Sequence, residues 1–551
     1  MTTFNKMTVV IWFLCILTMW FSSGFTAQGS EYKDVFVEYL QVGPATSLNL
    51  NTHGRSSADI DRTLIQIYRS NGLQPFWIRD GKPTQAGMDI YAALKNADKH
   101  GLNPSSYLLS NIKQFWGSTD TTNLVKLDIV LTLGMMMYVA DQREGRLQPR
   151  QLDPELFATA SDVEVDWKTL FAKAFKAPDM KAFLAEQAPP FLQYGYLQKK
   201  LAEYRLIAAK GGWPSVPDGE VLKPGMDDPR MQVLRKRLAV TGEYIAEMSE
   251  SAVFDSGLVE AVKRFQKRHS LSQDGVIGEQ TRAAMNVPVE LRVQQIIINM
   301  ERYRWLKRMR DERLVAVNIA GFEAAAGRAG KFDLVMPVIV GKTYHKTPVF
   351  NDTIKYVDFN PYWNVPPSIS RDEILPKLKK DSSYLKKQNM RIFQGWKEGA
   401  AELDAMSIDW SRVSKKEMNQ YHVRQNPGPN NALGTLKLVF PNKYNVYLHD
   451  TPNHNLFTQD ERALSHGCIR MGRPAEMAAW VLGGETKGWT AERVNKIIAS
   501  RTRQVVTLDE PLPVYILYRT AFVTPSDVLF FYNDIYGRDK LLIQALLTAK
   551  N

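Results

Sequence analysis

The sequence predicts a multidomain α+β chain. A helical scaffold and a small three-helix module come first, followed by a mainly-β domain that carries a helical insertion. Three observations predict it. Apolar residues recur at helical spacing in the first part of the chain, as in Ile60, Leu64, Ile67 and Tyr68. The Pro- and Gly-rich polar stretch from Gly211-Gly212-Trp213-Pro214 through Lys223-Pro224-Gly225 reads as a linker. From Leu314 the period becomes that of strands, beginning with Leu314-Val315-Ala316-Val317-Asn318-Ile319. With 551 residues the chain is long enough for several domains and an ample core.

Hydrophobic residues make up 44% and charged residues 23%, a balance of folded rather than disordered chains. The net charge of +12 suits an anionic polymer or a membrane surface. No zinc finger, RNP-type aromatic motif or dense basic tract points to nucleic acid. Met7 to Phe21 is an apolar run preceded by Lys6, shorter than the roughly 20 residues that span a bilayer. Small residues follow at Ser22-Ser23-Gly24 and Thr26-Ala27, so residues 1–27 read as a signal peptide or, uncleaved, as an N-terminal anchor. No later segment reads as long and apolar enough to span, so the body is expected to be soluble and outside the cytoplasm.

The elements follow in order. Residues 31–212 form the helical scaffold, with Met88 to Ala97, Leu124 to Ala140 and Pro190 to Ala209 as helices and Trp77 as a packing anchor. The segment rich in Leu, Met and Val, Leu124 to Ala140, reads as a buried helix, and the scaffold offers no chemical site. In residues 226–288 a first helix presents Met231, Leu234 and Leu238 and stops at Gly242. Ser256 is placed to cap a second helix presenting Leu258, Val262 and Phe265, and a tight turn at Asp274-Gly275 leads to a short third helix, Thr281 to Met285. His269 reads as a surface or cap residue. Residues 289–312 form a basic, amphipathic connecting helix. Residues 313–507 form the β domain, with an aromatic, Pro-rich wall at Asn360-Pro361-Tyr362-Trp363. Its interruption at 368–419 reads as helical and Lys-rich, a lid or substrate-docking element. Leu436 to Phe440 and Asn445 to His449 make a hairpin around Pro441-Asn442-Lys443. Residues 508–551 add strands and a helix that buttress this domain.

The chemistry gathers near Cys468. The chain has two cysteines, and the other, Cys15, lies in the N-terminal apolar run, so Cys468 has no internal disulfide partner. It sits in Ser465-His466-Gly467-Cys468-Ile469-Arg470, with His449 at 19 residues upstream. A thiolate is the nucleophile, and cationic or hydrogen-bonding neighbours lower a cysteine pKa from about 8.5 to roughly 3.5–7.5. A strand ending at His449 and a loop returning at Ser465 would set a base beside a nucleophile. Gly467 permits a tight turn that would aim the amides of Gly467 and Cys468 at an oxyanion. His449 is the candidate general base and His466 a second imidazole that orients or polarises the site; spacing does not say which takes the thiol proton. Tyr447 shares a strand face with His449. Arg470 either holds a carboxylate through paired N–H donors or serves a structural ion pair. Ser465 caps the turn or donates into the site. A zinc centre from His449, Asp450, His454 and His466 has no His-Glu-x-x-His motif and no familiar spacing, so neither metal nor other cofactor is predicted.

His449, then 15 residues, then Ser465-His466-Gly467-Cys468 resembles the signature of the L,D-transpeptidases with a YkuD-type catalytic domain. Arg470 departs from the commoner pattern, which has Asn at that place, and is similar to the large periplasmic subgroup of the YcbB type. Val262-Lys263-Arg264-Phe265-Gln266, His269, Leu271, Asp274-Gly275, Ile277-Gly278 and Thr281 resemble a peptidoglycan-binding domain. The resemblance implies a periplasmic enzyme of cell-wall biogenesis with a capping subdomain at the insertion and peptidoglycan stem peptides and glycan as partners. Cys468 would attack the third stem residue, a diaminopimelate, release the terminal D-Ala and hold a thioester. The side-chain amine of a neighbouring stem would then resolve it into a cross-link between third residues. Covalent capture by carbapenem β-lactams is implied as well. Three alternatives stay open: an L,D-carboxypeptidase that uses water, a transpeptidase that anchors a protein to the wall, and a non-catalytic wall-binding scaffold.

Overall fold

The computed structural model describes residues 31–156, 165–245, 251–306, 313–328 and 331–548. The segment read as a signal peptide or anchor lies outside the described residues.

The N-terminal region is helical, and its main helices are capped as their sequences dictate. Ser57–Ser70, Gln85–Lys95 and Thr121–Glu144 follow Ser56, Thr84 and Asp120, whose side chains each accept a first-turn amide N–H. Thr121–Glu144 is long and apolar enough to cross a membrane by length and composition, contrary to the sequence reading that no later segment is, and 89% of its most apolar window is buried in the protein. It is the central helix of a core that also holds Phe36, Leu64, Tyr68, Ile90 and Phe183. Its buried carboxylates are satisfied internally: Asp128 accepts from the Tyr68 hydroxyl at 2.6 Å and the Trp77 amide at 2.7 Å, and Asp141 from Tyr107 and Arg55. Trp77 is buried here, as its anchor role requires.

Leu192–Ala209 leaves this core. Its Tyr194, Leu197, Leu201 and Tyr204 pack with the connecting helix Val289–Arg304 and the β domain in a second core. The connecting helix read as basic and amphipathic, yet Arg302 and Arg304 are buried. They are paired there, Arg304 with Glu301 at 2.8 Å and Arg302 with Asp539 at 2.8 Å. Opposite charge supplied from the same helix and from the C-terminal tail makes burial tolerable.

The three-helix module, Arg230–Val240, Ser256–Arg268 and Glu279–Met285, encloses its own core around Leu234, Val262 and Phe265. The cap of its second helix is Asp255, which accepts the Leu258 amide at 2.8 Å, and not Ser256. His269 occupies a helix-end position but is buried, stacked on Phe265 at 3.8 Å and on Phe531 of the tail at 5.8 Å.

The β domain is a nine-stranded sheet closed on itself. Its spatial order is Ala463–Ser465, Lys331–Gly341, Ile469–Met471, Leu448–His449, Leu436–Val439, Phe350–Phe359, Gln504–Leu517, Arg313–Asn318 and Glu323–Arg328, and the last strand returns to pair with Lys331–Gly341. Val505-Val506-Thr507 and Pro513 to Leu517 lie on one bulged strand, antiparallel to Phe350–Phe359 and parallel to Arg313–Asn318. A boundary after Thr507 therefore runs through the middle of the sheet. The insertion carries its own core around Ile374, Leu378, Trp410 and Met418. It is not helical alone: its Met390–Gln394 and Glu402–Leu403 form a four-stranded sheet with Trp363–Asn364 and Tyr421–Gln425, which flank the predicted bounds, so the unit extends beyond 368–419 on both sides. The Lys-rich helical pattern masked these short strands.

Candidate active site

The cysteine loop joins two strands that flank the same neighbour. Ala463–Ser465 runs parallel to the end of Lys331–Gly341, and Ile469–Met471 runs antiparallel to it. Ile469–Met471 also lies parallel to Leu448–His449, with Arg470 in register with His449. The turn between them is tied by short side chains. The Ser465 hydroxyl donates to the Cys468 carbonyl at 2.5 Å and accepts the Gly467 amide at 3.1 Å. Thr347, fully buried, donates to the Gly467 carbonyl at 2.8 Å and accepts the Gly341 amide at 2.9 Å. Tyr536 of the tail donates to the Gly341 carbonyl at 2.5 Å and accepts the Thr347 amide at 3.2 Å. Glycine is required twice. Gly467 has φ 108°, and a Cβ on Gly341 would come within 2.0 Å of the His345 carbonyl oxygen.

One expectation is decided and one changes. Ser465, read as capping the turn or donating into the site, is buried and fastens the turn. The Gly467 amide is spent on Ser465, so it is not a free oxyanion donor. A serine hydroxyl readily accepts the amide two residues on, here that of Gly467, which the motif letters do not reveal.

Cys468 is half-buried, and its thiol donates to the Asn445 carbonyl at 3.6 Å. Burial pushes the thiol up from its ordinary value, while hydrogen bonds from the Tyr447 amide and hydroxyl and the charges of Arg470 and Lys437 oppose it. The cationic neighbours are thus present, but desolvation is the larger effect. Tyr447 is held far above the usual phenol range by burial and by Cys468, so its hydroxyl keeps its proton.

His449 is buried, with Nδ1 at 2.5 Å from the Asp450 carbonyl, which fixes the proton on Nδ1. Burial first and Arg470 next push its pKa down to about 3, against the carbonyls of Asp450 and Leu433. The ring is neutral at pH 7 and meets Tyr447 edge-on, with centroids at 5.8 Å. Neither imidazole is a hydrogen-bond partner of the sulfur among the described residues; Tyr447 touches both the thiol and the His449 ring. His466 pairs with the insertion, its Nε2 at 2.7 Å from Glu373, and its ring lies at 5.1 Å from His345. Arg470 is partly buried beside Cys468 and has no carboxylate partner among the described residues, and its buried Nε lacks an acceptor. The site therefore combines a thiol, a tyrosine hydroxyl, a neutral histidine and a guanidinium free to take an anion.

Thr347, Tyr536, Asn445, His345 and Glu373 were not singled out by sequence. Of these, Asn445 figured in the sequence reading as the start of the second hairpin segment, with no role at the site.

Comparison with known proteins locates the domains. A family profile described as "L,D-transpeptidase catalytic domain" matches residues 312–505. One described as "Putative peptidoglycan binding domain" matches residues 227–285, and one described as "Scaffold domain" matches residues 62–201. A curated protein of Haemophilus influenzae named "Putative L,D-transpeptidase" is 34% identical over 247 residues, which are 45% of this chain and 48% of that protein. The chain thus spans about half the length of the curated relative it matches. Crystal structures of L,D-transpeptidases from Xylanimonas cellulosilytica and Stackebrandtia nassauensis align over 55% and 57% of this chain and 99% and 98% of theirs. Their identities are 15% and 13%, and their TM-scores 0.18 and 0.21.

Proposed function

From the L,D-transpeptidase catalytic domain and the peptidoglycan-binding domain that this chain carries, we propose that the protein is a peptidoglycan L,D-transpeptidase acting outside the cytoplasm. Cys468 attacks the carbonyl of the third stem residue, the bond to the terminal D-Ala breaks, and D-Ala leaves with the proton of the thiol. The side-chain amine of a diaminopimelate on a neighbouring stem then displaces the sulfur and links the two third residues. Tyr447 donates to the sulfur and favours its anion, and the positive field of Arg470 and Lys437 acts in the same sense. Arg470 receives a stem carboxylate. The three-helix module keeps the enzyme on the polymer, and carbapenems acylate the same sulfur. The N-terminal apolar run directs export or anchors the chain to the inner membrane.

The observation that carries this reading is one half-buried thiol beside a guanidinium that has no carboxylate partner among the described residues. Purified tetrapeptide muropeptides incubated with the protein and analysed by mass are expected to yield dimers joined through third residues. Trimmed tripeptide monomers alone would make it a carboxypeptidase, and unchanged muropeptides would leave a wall-binding scaffold.

A further inference from the structure

The reaction above has two halves, and they need proton transfers in different places. In the first a thiol loses a proton inside the site. In the second an amine from a separate strand enters from solvent and must lose its own proton as it attacks the thioester. His449 is poorly suited to the second task. It is buried at 5% exposure, its Nδ1–H is committed to Asp450, and burial and Arg470 keep it from accepting a proton near pH 7.

His466 is more exposed and differently partnered. Its side chain is 34% exposed, and its partner Glu373 is 43% exposed. The two stand at 2.7 Å, across the seam between the cysteine loop and the insertion. A carboxylate can only accept, so Nε2 carries the proton and Nδ1 keeps its lone pair. Glu373 lies in a π-helical turn, Ser370–Ile374, within the insertion, a backbone form that is rare and frequent at functional sites. His345 and Lys342 are the other charged or titratable groups facing the ring. No step assigned above uses the Glu373–His466 pair.

We infer that Glu373 and His466 form the acceptor-side dyad: His466 is the base that takes the proton of the incoming amine, and Glu373 is the positioning residue that sets its tautomer. The inference rests on the reading under Proposed function. The amine nitrogen bonds to the thioester carbon, the C–S bond breaks, and the Cys468 sulfur leaves with the electron pair. The amine proton passes to Nδ1 of His466 and then to the departing sulfur, which restores the thiol and the neutral imidazole. The half-exposed Glu373 carboxylate also attracts the ammonium form from solvent, which sheds its extra proton to water before the neutral amine attacks, and this favours an amine over water. Burial supports the role, because it holds the imidazole below its ordinary value against the pull of Glu373, with His345 and Lys342 acting in the same sense as burial. A neutral ring can accept a proton at pH 7.

The test separates the halves. The full-length protein and its Glu373→Gln, Glu373→Asp and His466→Gln variants are acylated with a tetrapeptide muropeptide, and thioester formation is followed by intact mass. An acceptor muropeptide is then added, and decay of the thioester and the ratio of cross-linked to trimmed product are measured. Expected are unchanged acylation by Glu373→Gln, a fall of about tenfold or more in aminolysis, and about a hundredfold fall for His466→Gln. The ratio shifts toward trimmed product, and Glu373→Asp restores part of it. An equal fall in both halves, or no change in aminolysis, overturns the assignment. A wild-type protein that forms no thioester overturns the transpeptidase reading itself.

Discussion

Replacing Thr347 by Val removes one oxygen from a fully buried site and keeps the side-chain shape. That oxygen ties the cysteine loop to the strand beside it, accepting the Gly341 amide at 2.9 Å and donating to the Gly467 carbonyl at 2.8 Å. Each buried group left without a partner costs about 1–3 kcal/mol, so the two together cost about 2–6 kcal/mol before the loop relaxes. Relaxation recovers part of this by moving Gly467, which is joined to Cys468, so stability is exchanged for misplacement of the sulfur. We expect Thr347→Val to lower the unfolding free energy by about 2–4 kcal/mol. We expect acylation to slow by about tenfold for each ~1.4 kcal/mol that displacement of the sulfur adds to the barrier. Thr347→Ser keeps the oxygen and serves as the control. Urea unfolding followed by tryptophan fluorescence reads the first effect, and the rate of carbapenem adduct formation reads the second. A Thr347→Val protein within about 0.5 kcal/mol of wild type, the range of a neutral surface change, would refute the role given to this threonine.

Other predictions follow from the same geometry. Tyr447→Phe removes a hydroxyl that favours the thiolate, so the midpoint of the pH profile for Cys468 alkylation moves up; a downward shift would contradict the hydrogen bond. His449 has a folded pKa pushed down to about 3 from the ordinary 6.5, so the folded state binds fewer protons than the unfolded chain. Its contribution to stability is full above about pH 6.5 and is lost as pH falls toward 3. Unfolding curves of wild type and His449→Gln should therefore converge on acidification across that window, and parallel curves would be inconsistent with a buried neutral ring. Arg470→Lys keeps the charge but loses the planar fork, so KM for a stem peptide should rise more than kcat falls. An unchanged KM would remove Arg470 from carboxylate binding.

What the sequence revealed and what it hid follow from range. Cys468, Gly467 and His466 are contiguous, and Tyr447 and His449 are two residues apart, so local pattern exposes them, although the strand itself is only Leu448–His449 and Tyr447 precedes it. Asp255 and Ser256 are both good capping residues, and only the hydrogen bond to Leu258 tells them apart. Thr347 and Glu373 reach the loop from 467 − 347 = 120 and 466 − 373 = 93 residues away, and Tyr536 reaches the strand end beside it from 536 − 341 = 195. No periodicity reports contacts of that length. The connecting helix failed differently: Arg302 pairs with Asp539 of a distant tail, which local pattern does not report, and Arg304 pairs with Glu301 on its own helix in a burial the helix sequence does not announce. The strand Gln504–Leu517 was split in sequence because its bulge breaks the alternation between Thr507 and Leu512.

The central claim is that the Cys468 sulfur carries the acyl group of a stem peptide. Intact mass of the protein quenched during turnover of a tetrapeptide, followed by peptide mapping, tests it most directly. The account predicts a hydroxylamine-sensitive increment equal to the tripeptide acyl group, located on Cys468 and absent from Cys468→Ala. Cross-linked product accumulating with Cys468→Ala, or an acyl group on any other side chain, would contradict it.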